Sequence, residues 1–119
     1  MNTSYAPYEP ALLPDAVTRY LQRSGENPDR EAVASAFATD AVVEDAGSTY
    51  TGVSEIRDWI AGSSAEYTYT TTHIGQQQIG DAEWIVVGHL EGDFPGGTVD
   101  LRFHFTLEGD RIRSLVIAP

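Results

Sequence analysis

The sequence predicts an α+β domain in which three N-terminal helices are packed in a strongly curved, mostly antiparallel sheet, giving a cone shape. The first half of the chain repeats apolar residues at helical spacing between capping and stop residues. Residues 66–118 are instead rich in Thr, Tyr, Val, Ile and Phe and are divided by turn signals. The connections between these later segments are too short for crossover helices, so we expect an antiparallel meander packed against the helices.

The first helix is predicted in DAVTRYLQRSG. Asp15 lies in its first turn, and Val17, Tyr20 and Leu21 recur on one face at helical spacing. Gly25 is a typical stop residue. Tyr20 is therefore expected to face the core.

Two further helices and a strand follow. In NPDREAVASAFATD, Asn27 is a good N-cap and Pro28 suits the first helical position. A strand is predicted at 41–45, followed by a Gly/Ser/Thr turn. The third helix, VSEIRDWIAG, is predicted to end at Gly62.

Four strands are predicted in the second half of the chain. Turn signals at Gly80-Asp81, Pro95-Gly96-Gly97 and Glu108-Gly109-Asp110 separate them. The predicted strands lie at about 66–78, 83–93, 98–107 and 111–117.

Length and composition limit the possible functions. A chain of 119 residues accommodates one core, and we assign residues 15–119 to one domain and 1–14, which contain three prolines, to an extended arm. The formal net charge is −11, which argues against a nucleic-acid or anionic-membrane partner. There is no lysine for Schiff-base chemistry and no cysteine for thiol catalysis, thiolate metal sites or disulfides.

The N-terminal residues lack the basic and apolar regions of a signal peptide. No apolar run approaches the length that spans a membrane. We therefore expect a cytoplasmic protein.

The joints between the first elements resemble a known superfamily. The matching residues are AFATDAVVED at 36–45, Gly52, and IRDW at 56–59. This pattern resembles the nuclear transport factor 2-like superfamily, which includes SnoaL-like polyketide cyclases, scytalone dehydratase, limonene epoxide hydrolase and ketosteroid isomerase. The likeness covers roughly residues 15–117 and implies the cone fold, which is used by enzymes and by non-catalytic binders alike.

Within the superfamily, the first half looks most like ketosteroid isomerase. The resemblance places the general-base aspartate on Asp45 and the oxyanion-hole tyrosine on Tyr20. The isomerase has a protonated aspartate just before a His-Phe pair, whereas here Phe103 precedes His104 and Phe105. A second oxyanion donor is therefore missing, and the resemblance does not imply steroid isomerisation by that mechanism.

Strand alternation separates the two adjacent acids of VVED. Val43 and Asp45 share one face, and Val42 and Glu44 share the other. Alternation alone does not decide which pair faces the helices, but the resemblance places Asp45 inside. An inward Asp45 would move a proton next to a carbonyl group. The alternative is a solvated strand-end acid or a cap of the following turn.

Three other residues are candidates for the site. Tyr20 is an oxyanion donor or simply a buried phenol with its hydrogen bond satisfied. His73 and His89 are on neighbouring strands, and either could assist Asp45 as an acid or base, or be an ordinary strand histidine. His104 is expected on the outer face of the sheet, opposite Phe103.

Apolar residues are expected to line the pocket near the open end of the cone, with packing as the alternative role for each. No metal site is expected, because the three histidines lack the spacing of metal ligands. No cofactor is expected either. The predicted pocket-lining residues are Phe37, Val43, Trp59, Leu101, Phe103 and Phe105.

These expectations define a SnoaL-like protein with a pocket for a small apolar molecule. It would be a cofactor-independent isomerase, dehydratase or cyclase using Asp45 as general base on an apolar carbonyl substrate. The alternatives are a non-catalytic small-molecule binder and a protein-interaction module. A homodimer is expected through the outer face of the sheet, from family habit and from Asp100, Arg102 and His104 there.

Overall fold

A computed structural model of the chain describes residues 5–23, 30–65 and 69–119. Within these residues the helices pack in a curved, mostly antiparallel sheet, which confirms the predicted α+β fold class. A short 3-10 turn, Pro10–Leu12, precedes the first helix. The elements are α1 Asp15–Arg23, α2 Arg30–Ser35, β1 Phe37–Asp45, β2 Ser48–Thr51, α3 Gly52–Ala65, β3 Tyr69–Gly80, β4 Glu83–Gly92, β5 Thr98–Glu108 and β6 Arg111–Ala118.

The helices differ from prediction at two boundaries, the ends of α2 and α3. Helix α2 ends at Ser35, and residues 37–40, which were predicted to be helical, belong to β1, so this strand begins at Phe37 and not at residue 41. The predicted stop at Gly25 and the predicted start of α2, at Asn27 and Pro28, lie outside the described residues. Gly62 does not end α3, which continues to Ala65. A glycine ends a helix by adopting a left-handed conformation, and Gly62 is not among the glycines with positive φ. No helix of the described residues is both long and apolar enough to cross a membrane.

The strand order is β2-β1-β6-β5-β4-β3. Strands β3 to β6 form the predicted antiparallel meander, and β1 joins it by pairing in parallel with β6. The segment expected to be only a turn after β1 contains a further strand, β2. Ala46 and Gly47 have φ of 54° and 83°, which suits a two-residue hairpin turn and lets β2 return along β1.

Cross-strand pairing arranges the inward side chains in rows across β1, β6, β5, β4 and β3. The first row is completely buried at β1, β6 and β5, partly exposed at Trp84 and exposed at Gln78. The second row is nearly buried apart from its carboxylate, and the third is partly exposed at both ends. Between β1, β6 and β5 the interior is therefore closed at the first row, and it becomes more accessible toward the third row, which we call the open end. The rows are Val43, Leu115, Phe105, Trp84 and Gln78; then Asp45, Ile117, Phe103, Val86 and Gln76; then Leu101, Gly88 and His73.

The N-terminal arm covers the edge of the sheet at β3. Ala6 and Gln76 exchange two backbone hydrogen bonds of 2.9 Å, and the backbone N–H of Glu9 donates to Gln76 Oε1 at 2.8 Å. Leu13 is buried in the core at the end of the arm. An exposed strand edge invites unwanted pairing with another chain, and the arm protects this one.

The arm can be detached by one substitution. A Cβ at Gly75 would lie 2.8 Å from Tyr5 Cβ and 3.4 Å from the Ala6 carbonyl oxygen, so Gly75→Ala should push the arm away. We expect faster amide hydrogen exchange at Ala6 and Gln76 with unchanged exchange in β5. Gly62→Ala is the matched control, because a Cβ there meets nothing within 4 Å. Unchanged exchange at Gln76 would contradict this account of the arm.

Candidate functional site

Asp45 is the last residue of β1 and lies on the inner face of the sheet, in the row of Ile117 and Phe103. The hairpin turn and β2 return the chain so that α3 packs over β1. This connection brings Trp59 of α3 next to the carboxylate. The Trp59 Nε1–H donates a hydrogen bond to Asp45 Oδ2 at 3.0 Å.

The second carboxylate oxygen of Asp45 is accessible. Asp45 as a whole is partly exposed, and within the described part of the chain its only hydrogen bond is the one from Trp59 to Oδ2. No buried side-chain oxygen or nitrogen among these residues lacks a partner. Oδ1 must therefore reach the solvent-accessible space, which is the geometry that a general base requires.

Tyr20 of α1 lies inside a cluster of aromatic rings and is only 5% exposed. Its ring is parallel to that of Trp59, with an interplanar angle of 5° and centroids 6.2 Å apart. Its edge contacts with Phe37 and Phe105 have centroid distances of 6.0 and 5.7 Å, and Phe103 is at 6.3 Å. Trp59 therefore contacts both Asp45 and Tyr20, the two residues on which the resemblance places the base and the donor.

His73 faces the interior near the open end, in the row of Leu101 and Gly88. Its ring packs against Tyr8 of the N-terminal arm, with centroids 4.8 Å apart. Burial lowers the pKa of His73 and raises the pKa of Tyr8, because both charged forms lose water. Both side chains are therefore neutral near pH 7 and able to donate or accept hydrogen bonds.

His89 does not join Asp45. It pairs across the sheet with Thr72 and Asp100, on the face opposite His73, because neighbouring residues of a strand point to opposite sides. There Nδ1 lies 2.6 Å from Asp100 Oδ1 and Nε2 lies 3.1 Å from Glu91 Oε2. The expectation that His89 assists the inner site is therefore corrected.

The outer His89 cluster predicts a pH-dependent stability. Its hydrogen bond to Asp100, then that to Glu91 and both negative charges, outweigh desolvation and raise the pKa of His89 above 6.5. The stabilisation is therefore complete below about pH 6.5 and is lost as the pH rises through the raised folded-state pKa. We expect the difference in unfolding free energy between wild type and His89→Gln to shrink from pH 6 to pH 8 in urea titrations. If the difference in unfolding free energy between wild type and His89→Gln grew with pH, this account of the His89 cluster would be wrong.

His104 lies on the outer face as predicted, paired with Ile85 and Val116 and 3.0 Å from Glu83 Oε2. The outer face also carries a groove of about 350 Å³. Arg102 lies beside it and donates to the Pro119 carbonyl oxygen at 2.9 Å. The groove is lined by Tyr5, Ile74, Gly75, Val87, Asp100, Arg102 and Pro119.

The predicted pocket-lining residues fall into two groups. Phe37, Val43 and Phe105 are 0–1% exposed, so they belong to the packed core and do not line accessible space. Leu101 is partly exposed near the open end, and Phe103 and Trp59 keep small exposed surfaces there.

Sequence reasoning missed three contributors to this region. The hydrogen bond from Trp59 to Asp45 was partly predictable, because a buried indole N–H needs an acceptor. Nothing in the residue spacing identified Asp45 as that acceptor. Tyr8 was missed because the arm was interpreted only as extended chain. Tyr50, whose ring centroid lies 6.1 Å from that of Trp59, was missed with β2 itself.

Comparisons with known proteins agree with this architecture. A solved structure from Sinorhizobium meliloti, of a protein proposed to be a polyketide cyclase, is 33% identical with a TM-score of 0.86, and the match covers 93% of this chain and 100% of that one. A hypothetical protein from Catenulispora acidiphila with a ketosteroid isomerase-like fold, solved with trimethylamine, is 24% identical over 89% of this chain and 85% of that one, with a TM-score of 0.73.

A third structure, the Δ5-3-ketosteroid isomerase of a Mycobacterium species, is 21% identical with a TM-score of 0.67. That match covers 87% of this chain and 92% of that one. The last two likenesses show the fold alone. A comparison with curated proteins found no match. The sequence matches the family model of the SnoaL-like domain over residues 17–115, and the chain therefore belongs to the SnoaL-like family of the nuclear transport factor 2-like superfamily.

Proposed function

We propose that this protein binds a small apolar carbonyl compound at the open end of the cone, and that Asp45 acts on it as a general base. The reaction would be a cofactor-independent isomerisation, dehydration or cyclisation. One observation carries the proposal: Asp45 holds one oxygen on Trp59 while its other oxygen, on the inner face, reaches accessible space. A carboxylate fixed in this way is able to take a proton from a carbon next to a carbonyl group.

The neighbouring residues have distinct roles in the proposal. Asp45 Oδ1 takes the proton, and the Tyr20 hydroxyl donates to the enolate oxygen that forms. His73, neutral because burial lowers its pKa, contributes a hydrogen bond near the open end. Phe103 stands where ketosteroid isomerase has its acidic donor, so the enolate would depend on fewer donors and a different substrate class is expected.

A non-catalytic binder is the second candidate function. The burial of Tyr20 among four aromatic rings favours it, because this environment equally suits a residue that only packs. In that case the accessible oxygen of Asp45 would orient the ligand through a hydrogen bond. The two candidates share the pocket and differ in whether a proton moves.

A thermal-shift screen tests the shared pocket. Wild type and Asp45→Asn are heated with a panel of polycyclic and terpenoid ketones, since a ligand that binds only the folded state raises Tm. We expect some ketones to raise Tm of the wild type and to raise that of Asp45→Asn less. Turnover by the wild type alone would support the enzyme, and binding without turnover would support the binder. Glu44→Gln, which changes an exposed acid on the other face of β1, is the control and should respond to the ketones as the wild type does. No stabilisation of the wild type by any ketone would contradict both candidates.

We also propose a homodimer through the outer face of the sheet. Apolar side chains of β4 and β6, Ile85, Val87 and Val116, alternate there with the charged His89 cluster. The adjacent Ile74 is 50% exposed and, with Val87, lines the groove on this face, so the exposed apolar residues form a continuous surface. Light scattering should give twice the chain mass, and Val87→Glu should give monomers. A monomer at every concentration would contradict the dimer.

A further inference from the structure

We propose that Trp59 is a positioning residue that aims the Asp45 carboxylate and fixes its distance from the Tyr20 ring. This inference rests on the proposed function, and it assigns to Trp59 a role beyond lining the pocket. The indole N–H binds one carboxylate oxygen, and the indole ring stacks on Tyr20. One side chain thus joins the proposed base to the proposed donor.

Trp59 is itself firmly held. It is 6% exposed, in the middle of α3, and the neighbouring Ile56 and Ile60 are buried on the same helix. Tyr50 of β2 packs on it with ring centroids 6.1 Å apart. The indole N–H is therefore a fixed point, as a supporting donor must be if it is to orient another group.

Asp45, in contrast, needs such a support. It is the last residue of β1, and Ala46 and Gly47 directly after it turn away with left-handed backbones. A side chain at a strand end has few neighbours that restrict its torsions. With Oδ2 bound to the indole, the direction of Oδ1 is set as well, because the two oxygens share one plane. A charge-assisted bond of this kind is among the stronger hydrogen bonds in proteins.

The simpler role for Trp59 is packing, with Asp45 serving only to satisfy a buried N–H. The two roles differ in their effect on chemistry. If Trp59 aims the base, removing only the N–H lowers the rate of proton transfer while leaving binding unchanged. If Trp59 only packs, the same change alters stability and leaves the rate of the folded protein as it was.

The probe is 5-nitrobenzisoxazole, which needs only a base. The base takes the proton of the ring C–H next to nitrogen, the electron pair of that bond completes a nitrile, and the N–O bond breaks to leave a coloured phenolate. We expect Trp59→Phe, which keeps a ring against Tyr20, to lower kcat about tenfold with KM unchanged. Trp84 is the only other tryptophan of the sequence, so Trp84→Phe is the matched control. This substitution should leave both kcat and KM unchanged.

The outcomes separate this inference from the proposed function. Equal rates for wild type and Asp45→Asn would overturn the proposed function itself. Suppose instead that Asp45→Asn lowers the elimination rate while Trp59→Phe retains the wild-type kcat. This result would overturn only the positioning role of Trp59.

If Trp59→Phe does not fold, an NMR measurement on the wild type and Asp45→Asn still tests the positioning role of Trp59. A ¹H–¹⁵N spectrum of the wild type should show two indole signals, from Trp59 and Trp84. In Asp45→Asn, which is nearly isosteric, the charged acceptor becomes a neutral amide, so the Trp59 signal should move while the Trp84 signal stays. A Trp59 signal that does not move would overturn the proposal.

Discussion

Asp45→Asn is expected to lower the rate of 5-nitrobenzisoxazole elimination by about 10²–10⁴-fold, the usual contribution of a positioned general base. The amide keeps the shape of the side chain and still accepts a hydrogen bond from Trp59, but it does not take up a proton. The effect should therefore fall on kcat and kcat/KM equally, as it does when an interaction made in the transition state is removed.

Glu44 provides a matched control for this substitution. It is the adjacent acid of the same strand, exposed and on the opposite face, so Glu44→Gln removes the same charge without touching the inner site. We expect Glu44→Gln to keep the wild-type rate. Equal losses in the two variants would show that the net negative charge of the protein matters and that Asp45 itself does not.

Phe105→Ala is expected to destabilise the fold by about 3–5 kcal/mol, the range for a large aromatic removed from a core. Phe105 is completely buried, its ring centroid lies 5.7 Å from that of Tyr20, and its strand neighbours Leu115 and Trp84 would face the cavity. The free energy of unfolding should be measured in urea. Because a small domain is stabilised by only about 5–15 kcal/mol, this variant should be close to unfolding.

The control for Phe105 is a large apolar residue on the surface. Ile79 is 45% exposed, so Ile79→Ala should change the free energy of unfolding by roughly 0.5 kcal/mol or less. If Phe105→Ala cost no more than Ile79→Ala, Phe105 would line an open cavity and the closed end of the cone described above would be wrong.

The sequence was most informative where a pattern repeats. Helical periodicity and turn residues located α1 and the four meander strands, and period-two alternation separated Asp45 from Glu44. It was least informative where one residue has two possible conformations. Gly62 is helical although glycine often ends a helix, and the turn at Gly47 was recognised while the strand after it was not.

The contacts of the candidate site depend on pairing between distant segments. Sequence placed His73 and His89 on neighbouring strands, but only the register puts them on opposite faces. The bond from Trp59 to Asp45 joins a helix and a strand across a hairpin that was not predicted. Such contacts follow from tertiary packing, which the periodicity of a local segment does not predict.

The most direct test of the central claim is a titration with 2-naphthol, a flat phenol, followed on the two indole signals. If a small apolar molecule binds next to Asp45 at the open end, the Trp59 signal shifts saturably, and less so in Asp45→Asn. The signal of Trp84, which lies in the row of Phe105 toward the closed end, should change little. Absence of a saturable shift at Trp59, or equal shifts at both tryptophans, would contradict the account.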